Sequence, residues 1–290
     1  MKILAPPVEA PGLYDLTSEE YHADPCPIPS LNHTVARILH EQTPLHAFNA
    51  HPRLGAEKVK RERIMDIGTA VHALAIGKGA KITRLNFKDY RTKAAQETRD
   101  ALMASGVTPL LSDDYDTVES MWPQMRAAIE DVAGAKIETL HREISAIAKQ
   151  GDYWSRSMID VMTPDLRLLI DAKTTATANP ERFGKSVMNY YATAVAFYFQ
   201  TLDLIDPKGK GKRRFIFIAQ ERDCPEAITY HELDHSALTY ADNLMQRARL
   251  RWAMCQASNT WPAYDRGPHI VYPNPWDIDV DGAEQISASE

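Results

Sequence analysis

Two short apolar runs, residues 158–162 and 168–172, each carry an aspartate, Asp160 and Asp171, and they flank Thr163, Pro164 and Asp165. No other stretch constrains the chain as much. β-prone runs on either side of a Pro-Asp turn predict a β-hairpin. A turn centred between Asp165 and Leu166 makes Asp160 and Asp171 directly opposed residues on one sheet face, with Cβ atoms roughly 4.5 to 5.5 Å apart. Lys173 follows Asp171 by two positions and shares that face, because strand side chains alternate. The hairpin brings two carboxylates and an ammonium together.

Carboxylates held this close raise each other's pKa unless a cation lies between them. Their oxygens suit a hard divalent ion such as Mg2+, with Mn2+ as a substitute, and such an ion binds through one or two carboxylates while keeping waters or phosphate oxygens. Lys173 would then orient or deprotonate an attacking water, or neutralise charge developing on a phosphate. Arg156 precedes Asp160 on the same strand face and is a candidate phosphate contact.

The remaining composition narrows the setting. The chain has 290 residues, 44% of them hydrophobic, enough for one large α/β or α+β domain. Its formal charge of -6 provides no global field for nucleic acid, so any contact with DNA must be local. Lys208, Lys210, Lys212, Arg213 and Arg214 form the one basic loop that could reach a phosphate backbone. Arg247, Arg249 and Arg251 alternate along a helix and read as surface charges. The odd set Cys26, Cys224 and Cys255 argues against a disulfide framework or a zinc site, and points to a reducing cytoplasm. Neither a membrane-length apolar run, a signal peptide nor a Gly-rich phosphate loop is present in the sequence.

Periodicity predicts helices near 18–21, 30–40, 64–76, 112–132, 181–204 and 236–257, the one at 112 being capped by Ser112, Asp113 and Asp114. Strands are expected at 143–148, 153–162 and 168–173 as an antiparallel meander, with others at 215–219 and 228–233. The order fits a central mixed sheet flanked by helices. Residues 1–14 read as a flexible Pro-rich arm, 15–276 as one domain and 277–290 as an acidic tail.

Several motifs resemble those of RecE-type (exodeoxyribonuclease VIII-like) exonucleases of the PD-(D/E)XK superfamily. They are Gly68 to His72, Glu143, the run from Trp154 to Asp160, and Ile170, Asp171, Ala172, Lys173 and Thr174, in that order. Tyr21 and His22 near the start and Trp261, Pro262 and Tyr264 near the end extend the likeness over about 250 residues. The resemblance implies a PD-(D/E)XK nuclease-like core and a metal-dependent exonuclease acting 5′ to 3′ on linear double-stranded DNA. It also implies a homo-oligomeric ring, a trimer or tetramer, working beside a single-strand annealing recombinase in phage-type recombination.

Residue by residue, the resemblance makes Asp160 the first metal-binding acid, Asp171 the second and Lys173 the catalytic lysine. His72 and Glu143 become further catalytic or metal-binding groups. Asp165, although it makes a literal Pro-Asp pair, sits at the hairpin tip and is the weaker choice for the first acid. Ala194 stands where the family usually carries a glutamine, in the stretch from Tyr191 to Tyr198. That departure keeps open a weakened nuclease fold that binds DNA ends or a protein; a separate alternative is an endonuclease of the same superfamily in defence or repair.

Overall fold

The computed structural model describes residues 1–56, 67–78 and 81–273. The elements run β1 (Ile3–Leu4), β2 (Gly12–Tyr14), α1 (Ser18–His22), β3 (Leu31–Asn32), α2 (His33–Glu41), α3 (Pro44–Ala50), α4 (Ile67–Ile76), β4 (Lys81–Leu85), α5 (Lys93–Ala104) and β5 (Val107–Leu111). They continue with α6 (Ser112–Ala133), β6 (His141–Gln150), β7 (Tyr153–Met162), β8 (Leu168–Thr175), α7 (Pro180–Ser186), α8 (Ala192–Ile205), β9 (Arg214–Glu221), β10 (Ile228–His231) and α9 (His235–Ser258).

The main sheet has the order β1-β2-β6-β7-β8-β9-β10, with β3 also paired to β7. β6, β7 and β8 form the expected antiparallel meander, and β8 pairs in parallel with β9. Parallel strands need a long connection, and α7 and α8 supply it. The sheet is therefore mixed and flanked by helices, as the element order predicts. β4 and β5 form a separate parallel pair.

Alternation decides what each face buries. Val161, Ile170, Ile216 and Ile218 point to α4 and α6, where they pack with Val71, Met121, Met125 and Ile129. Leu169, Phe215 and Phe217 point the other way, against Val195, Phe197, Leu202, Met245 and Trp252 of α8 and α9. α9 presents one stripe, Ala241, Met245, Ala248, Trp252 and Cys255, at helical spacing. Fully burying side chains of this size contributes about 1.5 to 3 kcal/mol each.

Several expectations need correcting. The Pro-rich start is not a loose arm: Leu13 and Tyr14 are fully buried and pair with Ala146 and Ser145. Ser112 does not cap α6; the cap position is Leu111, and the Ser112 hydroxyl donates to the Leu85 carbonyl instead. The segment predicted as one helix over 181–204 is α7, a π-helical turn at Val187–Tyr191, and then α8. The start of the helix expected at 64–76 and the acidic tail at 277–290 lie outside the described residues. Arg249 is buried rather than on the surface: it bonds to Gln200, Thr201 and the Phe197 carbonyl and stacks 4.1 Å over the Phe197 ring. Among the described residues, no helix is long and apolar enough to cross a membrane. The three cysteines are free thiols, Cys26 and Cys255 buried and Cys224 exposed.

Candidate active site at the fork between β7 and β8

Val161 pairs with Ile170 and Met162 with Leu169, which centres the turn between Asp165 and Leu166. The next step along that register sets Asp160 opposite Asp171. The ladder stops there, so the strands fork where the two acids lie. The two carboxyls still interact, each altering the other's hold on its proton. On the far side of β7, the pairing with β6 skips the position between Arg142 and Ile144. Glu143 occupies that gap with φ +48°, a left-handed conformation that costs a non-glycine residue about 1 to 2 kcal/mol. Strain of this kind persists where the surroundings enforce it, and it is concentrated at functional sites.

The electrostatics follow from burial. Asp171 is 15% exposed, and loss of solvent pushes its carboxyl up to about 6, with Lys173 opposing the rise and Asp160 adding to it. Asp160 is also raised, first by burial and further by Glu143, against the pull of Lys173. Lys173 Nζ lies 2.7 Å from Asp171 Oδ1, a close ion pair that leaves this buried oxygen without a well-angled hydrogen bond. Burial alone would lower the Lys173 pKa, but the charges of Asp171 and Asp160 outweigh it and hold the ammonium above its ordinary range. The lysine is therefore protonated at neutral pH and is fitted for neutralising charge rather than for accepting a proton.

His72, on α4, approaches from the opposite layer: its Nε2 is 3.7 Å from Asp160 Oδ2. Asp160, Asp171, Lys173, His72 and Glu143 are thus brought to one place. Asp165 is not part of it; its carboxylate accepts from the Thr163 hydroxyl and the Arg167 amide at the exposed tip. Among the described residues, no three His, Cys, Asp or Glu side chains are already spaced as ligands of one cation. Two adjacent carboxylates with an oxygen lacking a good hydrogen bond nevertheless match the donor set of an Mg2+-type ion, which completes its shell with water.

Arg156 has a different place from the one expected. Its guanidinium is fully buried, 3.1 Å from Asp24 Oδ1, and it donates to the Ser30 hydroxyl and carbonyl and to the Tyr21 carbonyl. His51 Nε2 joins the same Asp24 at 3.3 Å. Arg156 clamps the N-terminal segment to β7 and is not available to a phosphate. Arg213 is likewise committed, bonded to Asp203 and Asp206 beside Gly209, where a Cβ would collide with the Arg167 and Arg213 guanidiniums. Arg214 is exposed but paired with Glu232 at 2.6 Å. Lys208, Lys210 and Lys212 remain exposed, at the Leu168 end of β8 and away from the fork.

Three residues at the site were not singled out from sequence. Tyr191 places its ring 5.4 Å from Lys173 Nζ. Tyr198 lies close enough to Asp160 and Asp171 that they, after burial and Tyr21, push its phenol further up. His33 bonds to Thr193 beside Ala194. Only the run of aromatics from Tyr190 to Phe199 could have hinted at the tyrosines, and nothing local marks His33.

Known proteins bear on the fold. Among solved structures, the chain is similar to a candidate exonuclease from Eubacterium rectale, at 10% identity and TM-score 0.55, covering 95% of this chain and 99% of that one. Looser likenesses are an alkaline exonuclease from Laribacter hongkongensis (12% identity, 65% and 90% of the two chains, TM-score 0.29) and a phage-related exonuclease from Haemophilus somnus 129PT (10%, 68% and 98%, 0.31). No curated protein matches the sequence. The family model of the PDDEXK-like domain of unknown function DUF3799 matches residues 39–267, a span that takes in both forked strands and every helix packed on them from α3 to α9. The chain belongs to this PDDEXK-like family.

Proposed function

We propose that this protein is a metal-dependent DNA exonuclease that hydrolyses phosphodiester bonds of linear double-stranded DNA. The observation that carries the reading is the fork itself: Asp160 and Asp171 lie at the step where the β7–β8 ladder ends, with Lys173 Nζ 2.7 Å from Asp171 Oδ1. Membership of the PDDEXK-like family supports it, as does the fold shared with the Eubacterium rectale protein. The RecE-type resemblance adds the 5′ to 3′ direction, a ring trimer or tetramer, and a single-strand annealing partner in phage-type recombination.

In this mechanism Asp160 and Asp171 would hold Mg2+, or Mn2+, with Glu143 and His72 alongside. Such an ion, when bound, activates water and polarises a phosphoryl oxygen. Burial raises both carboxyls, and the charge of a bound ion would oppose that rise. Lys173, already charged, sets its ammonium against the phosphate as negative charge builds on the non-bridging oxygens, and the Tyr191 face restrains it there. Water adds to phosphorus, the bond to one bridging oxygen breaks, and the departing oxygen takes up a proton.

Ala194 supports a second reading, a nuclease fold with weak turnover that holds DNA ends. Incubation with linear and with covalently closed circular duplex, in Mg2+ or in EDTA, separates the readings. Loss of the linear form only, and only with metal, supports the exonuclease. Cleavage of the circle indicates an endonuclease, and binding without cleavage of either form indicates the binding module.

A further inference from the structure

One edge of β7 pairs with β6 along its length except at Glu143. Its other edge is shared: β3 takes Ser155 and Arg156, and β8 takes Val161 and Met162. Between them, residues 157–160 have no ladder partner on that edge among the described residues, and this opening is the cleft that holds Asp160. β8, with Asp171 and Lys173, forms one wall. The other wall is the end of β3, and the first residue after it is His33.

His33 is half-buried at the start of α2, with its ring edge-on to Tyr198 at 6.3 Å and to Phe197 at 6.4 Å. Tyr198 in turn feels the charges of Asp160 and Asp171, so His33 and the acids border the same aromatic group. Burial, then Arg37, then Lys173 push the His33 imidazole down to about 4. The ring is neutral at pH 7, with one donor and one acceptor nitrogen.

His33 Nε2 lies 3.2 Å from Thr193 Oγ1, and among the described residues this is the hydroxyl's one side-chain or backbone partner. The contact can run either way, from Nε2–H to the hydroxyl oxygen or from the hydroxyl to Nε2, and in the second arrangement Nε2 is the acceptor. The proton of the imidazole then resides on Nδ1, which makes no hydrogen bond to the described residues and so keeps its donor for a ligand. A neutral donor on the wall facing an ammonium suits a phosphodiester strand: the strand's charge is matched by Lys173 on one side and its other oxygens by uncharged N–H on the other.

We infer that His33, held by Thr193 in its Nδ1–H tautomer, is a substrate-contacting residue that donates a hydrogen bond to a phosphodiester oxygen on the side of the cleft opposite Lys173. Thr193 is the positioning residue. The inference rests on the nuclease reading for its substrate, but its structural half is independent of turnover.

The test has two arms on the full-length protein. In EDTA, 15N-edited NMR of the imidazoles reads the tautomer directly. His33, assigned by its loss in His33→Gln, is expected as Nδ1–H in the wild type and in Thr193→Ser, and as a tautomer mixture in Thr193→Val. Adding a short blunt duplex without metal is expected to shift the Nδ1 resonance. With Mg2+, His33→Ala is expected to raise KM for linear duplex about three- to tenfold, the size of one lost neutral hydrogen bond, with kcat little changed, and His33→Gln to recover most of the loss. Thermal melting of each variant shows whether the fold is intact. An Nε2–H tautomer, an Nδ1 signal indifferent to duplex, or His33→Ala kinetics equal to wild type would overturn the inference. A wild type without metal-dependent cleavage would instead overturn the nuclease reading, leaving the EDTA arm to decide the contact.

Discussion

Lys173 Nζ is held 2.7 Å from Asp171 Oδ1 and 5.4 Å from the centre of the Tyr191 ring, pinned between a carboxylate and an aromatic face. The pair is local in sequence, two residues apart on β8, yet each partner sets the other's protonation. Replacing Lys173 by Met removes the one cation that lowers the Asp171 pKa most, so the Asp171 carboxyl should titrate above about 6. Carboxyl carbon shifts followed against pH measure this. Hydrolysis should fall by about 100-fold or more, the scale of losing a preorganised charge at a transition state.

Asp171 also makes stability depend on pH. Its folded pKa is raised from 3.8 to about 6, so the folded state binds this proton more tightly than the unfolded chain does. The stabilisation is complete below the unfolded value and is lost as pH rises through about 6, a swing of about 3 kcal/mol at most. Asp171→Asn should therefore raise Tm at pH 8 and leave it nearly unchanged at pH 4. Mg2+ should raise the wild-type Tm at pH 8 and have little effect on the variant.

Glu143 is held at φ +48° in the middle of a strand. Glycine adopts that conformation without the Cβ clash, so Glu143→Gly should shift the urea midpoint upward by about 1 kcal/mol of stability. If the carboxylate serves the site, the same variant should need more Mg2+ for half-maximal hydrolysis. Higher stability with weaker metal affinity on one substitution is the expected signature of strain kept for function.

The hairpin was legible because two levels of the sequence agreed: turn chemistry at Pro164 and Asp165 fixed the centre, and apolar alternation fixed the face. The observed pairing of Val161 with Ile170 follows directly. Arg156 was not legible. Period two assigns it a face but says nothing of what covers that face, and its partner Asp24 comes from a distant loop. The same limit hid β3, two residues long, and with it the wall that carries His33. The π-helical turn at Val187–Tyr191 is invisible to a 3.6-residue pattern that runs on smoothly through it. At the N-terminus, prolines suggested a loose arm, whereas Leu13 and Tyr14 are held by strand pairing that no local propensity encodes.

Arg156 accordingly belongs to the stability of the fold. Arg156→Met leaves the Asp24 carboxylate buried beside His51 without its main cation, and should cost about 3 to 5 kcal/mol. Thermal melting should show a large drop in Tm. Measured well below that temperature, the salt dependence of DNA binding should match the wild type, whereas a lost phosphate contact would make the slope shallower.

The central claim is that Asp160, Asp171 and Lys173 form one metal-dependent phosphodiesterase centre. Nucleotide release from end-labelled linear duplex by the wild type and by Asp171→Asn, each in Mg2+ and in EDTA, tests it most directly. Release is expected from the wild type in Mg2+ alone, with the variant as inactive as the EDTA controls although folded by Tm. Equal release by the variant, or release by the wild type that EDTA does not stop, would contradict it.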